Sequence, residues 1–273
     1  MEDLDQLGRL RKEIDAIDCQ LLTLLNGRAR LAQEIGKIKE RNGRPVYAPE
    51  RAEQLMRRLV SESGGPLDEL AIRAIYREIM SASLALEKDT VIAVEGELAG
   101  LTHLAAKQQF GSSVRYTFHA DALSLFNAVV LGAADCGVIP YGEEGPDAGI
   151  LELLSRENIY LCSQIVLGAD DRRVPPRYLV LGTTINKPSG HDQTALLLHL
   201  ADHPGALAAA LEPFRIFGVN VLSIHSRRCL GGGLHFLLEI EGHASEESLQ
   251  KVIEYLKSSG VNLKVCGSYP RAN

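Results

Sequence analysis

The sequence predicts a multi-domain chain in which three fold classes follow one another: an all-α unit, a small α/β lobe and a βαββαβ unit. Three observations carry this reading. From Leu7 to Lys39 aliphatic residues repeat on a heptad seam, and after Lys88 the pattern changes to short β-type runs alternating with helical ones. Beyond the polar stretch GTTINKPSGHDQ, strand-like and helix-like runs come in the order β, α, β, β, α, β. The expected domains are residues 1–88, 89–183 and 194–273, with 184–193 as a Gly/Pro/Ser-bearing linker.

The long helix comes first. Leu7, Leu10, Ile14, Ile17, Leu21, Leu24, Leu31, Ile35 and Ile38 fill the seam, and no proline interrupts it. The seam position without an aliphatic residue is Arg28, a guanidinium that would cost several kcal/mol to bury unless an anion met it. Lys39 follows eleven residues later, about three turns and roughly 16 Å along the axis, so both cations point the same way and could converge on a small anion. Arg11 precedes Arg28 by roughly 25 Å and about 100° of rotation, so one small ligand cannot touch both from a single helix. If Arg11 serves such a site, it serves a partner's. The plainer alternative is that Arg28 sets the register of a coiled coil while Arg11 and Lys39 are solvated charges.

The segment GRPVYAPER ends this helix at a Gly-Arg-Pro turn and opens a second near Pro49, which places Arg51 in its first turn. A third helix, from about Leu67 to Lys88, carries Ile72, Ile75, Ile79 and Ser83 along one stripe, and Glu87 lies one turn beyond Ser83 on the same face. Three helices thus offer cations, a hydroxyl and a carboxyl for a small dianion.

The segments LRKEIDAID, LLNGRARLAQEIGKIK, RPVYAPER and IYREIMSASLALE closely resemble the all-helical (AroQ-type) chorismate mutases, without a gap over residues 5–88. The resemblance implies an intertwined homodimer in which Arg11 reaches the other protomer's site and Arg28, Lys39, Arg51, Ser83 and Glu87 complete each pocket. Two positions depart from the family pattern: Ala48, often Asp there, and Ala52, usually a Glu that holds the substrate hydroxyl.

In the middle, TVIAVEG, SVRYTFH and ADCGVIPY read as strands separated by the helical LTHLAAKQQFG and ALSLFNAVVLG, the alternation of a parallel α/β layer. THLAAKQQFG, LFNAVVLGAADCGVIP and PRYLVLG resemble one lobe of prephenate dehydratase, and about half of a normal dehydratase domain is missing. The family's GPEGTFSH reads GELAGLTH (Gly96 to His103), its Glu-Asn-Ser reads Gly142-Glu143-Glu144, and its Thr-Arg-Phe reads Pro176-Arg177-Tyr178. Proline at the catalytic threonine's place has no hydroxyl, so the lobe is expected to be catalytically dead. A rewired pocket using His103, Glu143 and Glu144 is the alternative.

The last unit reads as ferredoxin-like, with helices from about Gly205 to Gly218 and Ser245 to Ser259. DHPGALAAALEPF, GVNVLSIHSRR and LKVCGSYPRA closely resemble the ACT domain that follows prephenate dehydratase and binds L-phenylalanine. On that resemblance Pro204, Gly205, Ala206 and Leu207 form the effector loop, and Ser226 and Arg227 the centre of its Glu-Ser-Arg-Pro motif. His225 replaces the Glu and Arg228 the Pro, which implies weakened or altered phenylalanine binding. A domain that only dimerises is the alternative.

Composition narrows the rest. A net charge of −6 without a basic cluster excludes a nucleic-acid binder. The absence of a long apolar run, and a start, MEDLDQLGRL, with neither a basic end nor an apolar core, argue for a cytoplasmic protein without a membrane partner. Cys19, Cys136, Cys162, Cys229 and Cys266 are scattered, without CxxC or histidine pairing, so reduced thiols are expected rather than disulfides or a zinc site. The reading that follows is a chorismate mutase that forms prephenate without cofactor or metal, on a chain whose dehydratase part has decayed. Its rivals are a bifunctional mutase and dehydratase, and a non-catalytic amino-acid sensor.

Overall fold

The computed structural model describes residues 2–271 except 44, 46, 143, 157, 169–174, 230 and 231. Helix α1 spans Glu2–Arg41, α2 Pro49–Glu62 and α3 Glu69–Glu87. Pro49 opens α2 where its missing N–H costs nothing, and Asp68 caps α3 by accepting the Ala71 N–H at 2.8 Å. The forty residues of α1 extend about 60 Å, far beyond the helices beside it. Much of its seam therefore stands open: Leu24 is 69% and Leu31 67% exposed, and Leu7, Leu10, Ile14, Ile17, Leu21, Ile35 and Ile38 are exposed as well.

The middle lobe comprises β1 (Val91–Glu95), α4 (Leu101–Phe110), β2 (Arg115–His119), α5 (Ala122–Val130), β3 (Cys136–Pro140), α6 (Ala148–Ser155), β4 (Tyr160–Val166) and β5 (Arg177–Gly182). Its sheet has the order β2-β1-β3-β5-β4. The expected parallel layer holds for β2, β1 and β3, whose crossovers are α4 and α5, but β5 runs antiparallel to β3 and β4 antiparallel to β5, so the sheet is mixed. Helix α6 and strand β4 follow β3 and fill the edge. Ile92 and Val94 face α4 through Ala105, Ala106 and Phe110, while Val91 and Ala93 face α5 and α6.

The third unit comprises β6 (Asp192–Leu200), α7 (Ala206–Ile216), β7 (Val221–Arg228), β8 (Leu234–Glu241), α8 (Glu247–Ser258) and β9 (Asn262–Pro270) in an antiparallel sheet of order β7-β8-β6-β9. Leu196, Leu198 and Leu238 pack under α7 and α8. The opposite sheet face, with Ala195, Leu197, Leu237, Cys266 and Tyr269, shares one core with Leu151, Leu154 and Leu161 of the middle lobe. Strand β9 approaches β4 so closely that a Cβ on Gly267 would lie 2.1 Å from the Leu161 carbonyl oxygen. The stretch expected as a linker is tied down: buried Asn186 donates to the carbonyls of Cys162 and Ser268 at 2.7 and 2.9 Å, and Asp192 accepts from Ser189 N at 2.7 Å.

The helical unit is braced against the middle lobe. The Ser112 and Ser113 N–H groups donate to Glu78 and Ser81 of α3, each at 3.0 Å, and Tyr47 packs on Phe110 with ring centres 4.8 Å apart while its hydroxyl accepts from Gln109 at 2.8 Å. No helix among the described residues is long and apolar enough to cross a membrane.

Candidate active site

The site is built where α1 and α3 come closest. A Cβ on Gly36 would sit 2.8 Å from both the Cα and the carbonyl oxygen of Glu87, so only glycine allows this approach. One turn on, Lys39 Nζ donates to Glu87 Oε2 at 2.8 Å in a half-buried ion pair. Two turns back, Arg28 Nη1 donates to the buried Ser83 hydroxyl, which itself donates to the Ile79 carbonyl at 2.8 Å. Arg51 of α2, an exposed residue, lines the same cleft, whose volume is about 1380 Å³, together with Ala48, Ala52 and the charged Glu53 and Arg73.

Five expected site residues, Arg28, Lys39, Arg51, Ser83 and Glu87, thus line one cleft. Arg11 does not; it is exposed on α1, away from this wall. Three cations facing a hydroxyl and a carboxyl suit a small ligand with two carboxylates and an acceptor oxygen between them. Gly36 is the member that sequence reading passed over, and its signal was a glycine on the inner face of an otherwise regular helical run.

At the expected effector site, Gly205 adopts φ +86° before α7, a left-handed conformation that glycine enters without strain, and Pro204, Ala206 and Leu207 flank it. Ser226 and Arg227 lie on β7, and the Arg228–Asp202 pair at 3.2 Å brings that strand's end beside the loop. Arg227 Nη2 donates to the Glu144 carbonyl at 2.8 Å, His225 Nδ1 lies 3.1 Å from the same oxygen, and the His225 ring packs edge-on against Tyr141. The effector strand therefore rests on the loop that stands where the dehydratase pattern has its polar motif.

Of the alternative pocket, Glu143 lies outside the described residues, and His103 is buried between Tyr116 and Phe118, its Nδ1 accepting the Ala99 N–H at 3.0 Å. Burial, then Lys107, hold His103 below the usual histidine range, which keeps that acceptor unprotonated. Arg177 is drawn away to Glu239 of β8 at 2.5 Å and lies 4.1 Å over the Tyr141 ring. The expectation that no cysteine pairs with histidine is corrected: Cys229 Sγ lies 3.5 Å from His199 Nδ1, a contact between residues thirty apart that only strand pairing creates.

Fold and cleft define the class: a multi-domain protein with a helical mutase unit, a single dehydratase-like lobe and an ACT unit. Residues 10–88 match the chorismate mutase type II family and residues 194–257 the ACT domain family. The chain belongs to the bifunctional chorismate mutase/prephenate dehydratase family. The bifunctional enzyme of Aquifex aeolicus is 30% identical, with 98% of this chain and 99% of that one covered, and that of Pseudomonas aeruginosa is 26% identical over the full length of both. The alignment with the Aquifex protein extends over 358 positions against the 273 residues here, so at least 85 of them, the excess of the first over the second, face no residue of this chain. Prephenate dehydratase from Streptococcus mutans superimposes with a TM-score of 0.56 at 25% identity, covering 67% of this chain and all of that one.

Proposed function

We propose that this chain is a chorismate mutase that converts chorismate to prephenate as a homodimer, without dehydratase activity. The observation that carries the reading is the convergence of Arg28, Lys39, Arg51, Ser83 and Glu87 on one cleft, with Lys39 and Glu87 already paired. The rearrangement needs no nucleophile. It needs two carboxylates clamped in the reactive chair and donors fixed where the breaking ether oxygen gains charge. Arg28 and the partner's Arg11 grip carboxylates, Arg51 and Ser83 support them, and Lys39 and Glu87 face the ether oxygen. The open aliphatic seam of α1 supports the dimer, because an unaccompanied apolar stripe of that length marks an interaction surface.

Loss of the dehydratase step is supported by the missing positions, by Pro176 at the threonine's place and by the capture of Arg177 by Glu239. The ACT domain is read as a sensor of an aromatic amino acid, phenylalanine first, through Pro204 to Leu207, Ser226 and Arg227.

The deciding experiment is depletion of chorismate by the purified chain, with prephenate as product. No turnover would leave the sensor reading, and phenylpyruvate from added prephenate would restore the bifunctional one. Mixed Arg11→Ala and Arg28→Ala chains should regain activity in the hybrid site that holds both wild-type arginines. Calorimetry with phenylalanine, tyrosine and tryptophan tests the effector role, and three flat traces would leave the ACT unit as a dimerisation module.

A further inference from the structure

Strand pairing at one end of the ACT sheet gathers three metal-binding side chains that the mutase chemistry does not use. His199 on β6 and His235 on β8 stand directly opposite in antiparallel register, and their rings meet edge to face with centres 5.3 Å apart. Cys229 follows β7, whose Arg227 and Arg228 pair with His235 and Leu234. Its turn is closed by hydrogen bonds from Cys229 N to Gly233 O and from Gly232 N to Cys229 O, both 3.2 Å. Gly232 and Gly233 both have positive φ, and a Cβ on Gly233 would lie 2.8 Å from the Leu200 carbonyl oxygen and 3.2 Å from the His199 ring, so glycine lets the turn close beside both.

One donor atom from each of the three residues lies within 4.8 Å of the other two, and among the described residues no other three such side chains converge in this way. A tetrahedral zinc ion with ordinary bond lengths sets N···S edges of about 3.5 Å and N···N edges of about 3.3 Å. The His199 Nδ1 to Cys229 Sγ distance of 3.5 Å already matches, and no donor pair of the three exceeds 4.8 Å.

We propose that His199, Cys229 and His235 bind one divalent transition-metal ion of the zinc class, clipping the ends of β6 and β8 to the end of β7. Two imidazoles and a thiolate favour zinc, cobalt or nickel over magnesium or calcium, which take oxygen ligands. The thiolate is the ligand form, so an arriving cation displaces the Cys229 proton.

The full chain, stripped with a chelator, is titrated with zinc by calorimetry and with cobalt by absorption. One equivalent per chain and a thiolate-to-cobalt charge-transfer band are expected. Cys229→Ser should abolish the band, and His235→Gln should weaken zinc by at least about 100-fold, since even residues behind a metal ligand cost 10- to 100-fold. Cys19→Ser, on the exposed face of α1, should change neither. Absence of heat and of the band at millimolar metal would overturn the proposal, as would unchanged zinc affinity in folded Cys229→Ser. Should the variants fail to fold, the wild-type cobalt spectrum decides alone, because an octahedral pattern without the thiolate band contradicts the site.

Discussion

Glu87 holds two positions at once: its backbone is the floor against which Gly36 packs, and its carboxylate pairs with Lys39. Gly36→Ala would drive a methyl group into that backbone, where no side chain can swing aside. A cost of about 1–3 kcal/mol is expected, together with a fall in turnover as α1 and α3 separate; equal melting temperature and rate in the variant would show that the approach is not needed. The carboxyl poses a chemical question as well. A side chain facing an ether oxygen that is gaining charge must be able to donate, so Glu87→Gln should retain turnover and Glu87→Ala should lose it; equal rates in the two variants would remove Glu87 from the reaction.

Among the elements, α1 was the most legible, because a seam of nine aliphatic residues without proline specifies the helix, although the seam itself stands exposed in the single chain. The break at Arg28 was visible on the same seam, and the structure sets its guanidinium against the Ser83 hydroxyl of α3. Arg28→Leu should keep or raise the melting temperature while abolishing turnover; a large loss of stability with turnover intact would make Arg28 a structural residue. On the dimer side, Leu24→Glu puts a charge on the open part of the seam, about a turn from Arg28. It should yield monomers by light scattering and lose activity with them, whereas unchanged mass would count against a dimer built on this seam. The antiparallel β4 and β5 and the Cys229–His199 contact were not legible. Strand direction and contacts across thirty residues are decided by pairing partners, and local periodicity carries no record of them.

For the molecule as a whole, the unexpected feature is how firmly the third unit is joined to the middle lobe. Half-buried Arg177 and buried Glu239 form a pair across that boundary, where Arg177 also donates to Gln164 and Glu239 also accepts from Ser223. Arg177→Ala would leave Glu239 buried without its partner and should cost about 3–5 kcal/mol, while Arg177→Met with Glu239→Leu should recover most of it. Chemical denaturation of the two variants measures the difference, and equal loss in both would mean that the pair's shape rather than its charge matters. The sequence placed a linker at residues 184–193 from composition, yet polar residues can be pinned as readily as solvated, and Asn186 and Asp192 are pinned.

The core that runs from Leu151 and Leu161 into Leu197 and Leu237 also bears on the chain's history. Three units that resemble separate families are no longer separable parts, since cutting after residue 183 would lay bare the inner face of the middle lobe. On the proposed reading of the ACT unit as a sensor, insensitivity to its ligand would have to come from substitutions in that unit and not from deletion of the last third of the chain, because only substitution leaves the remaining two-thirds able to fold.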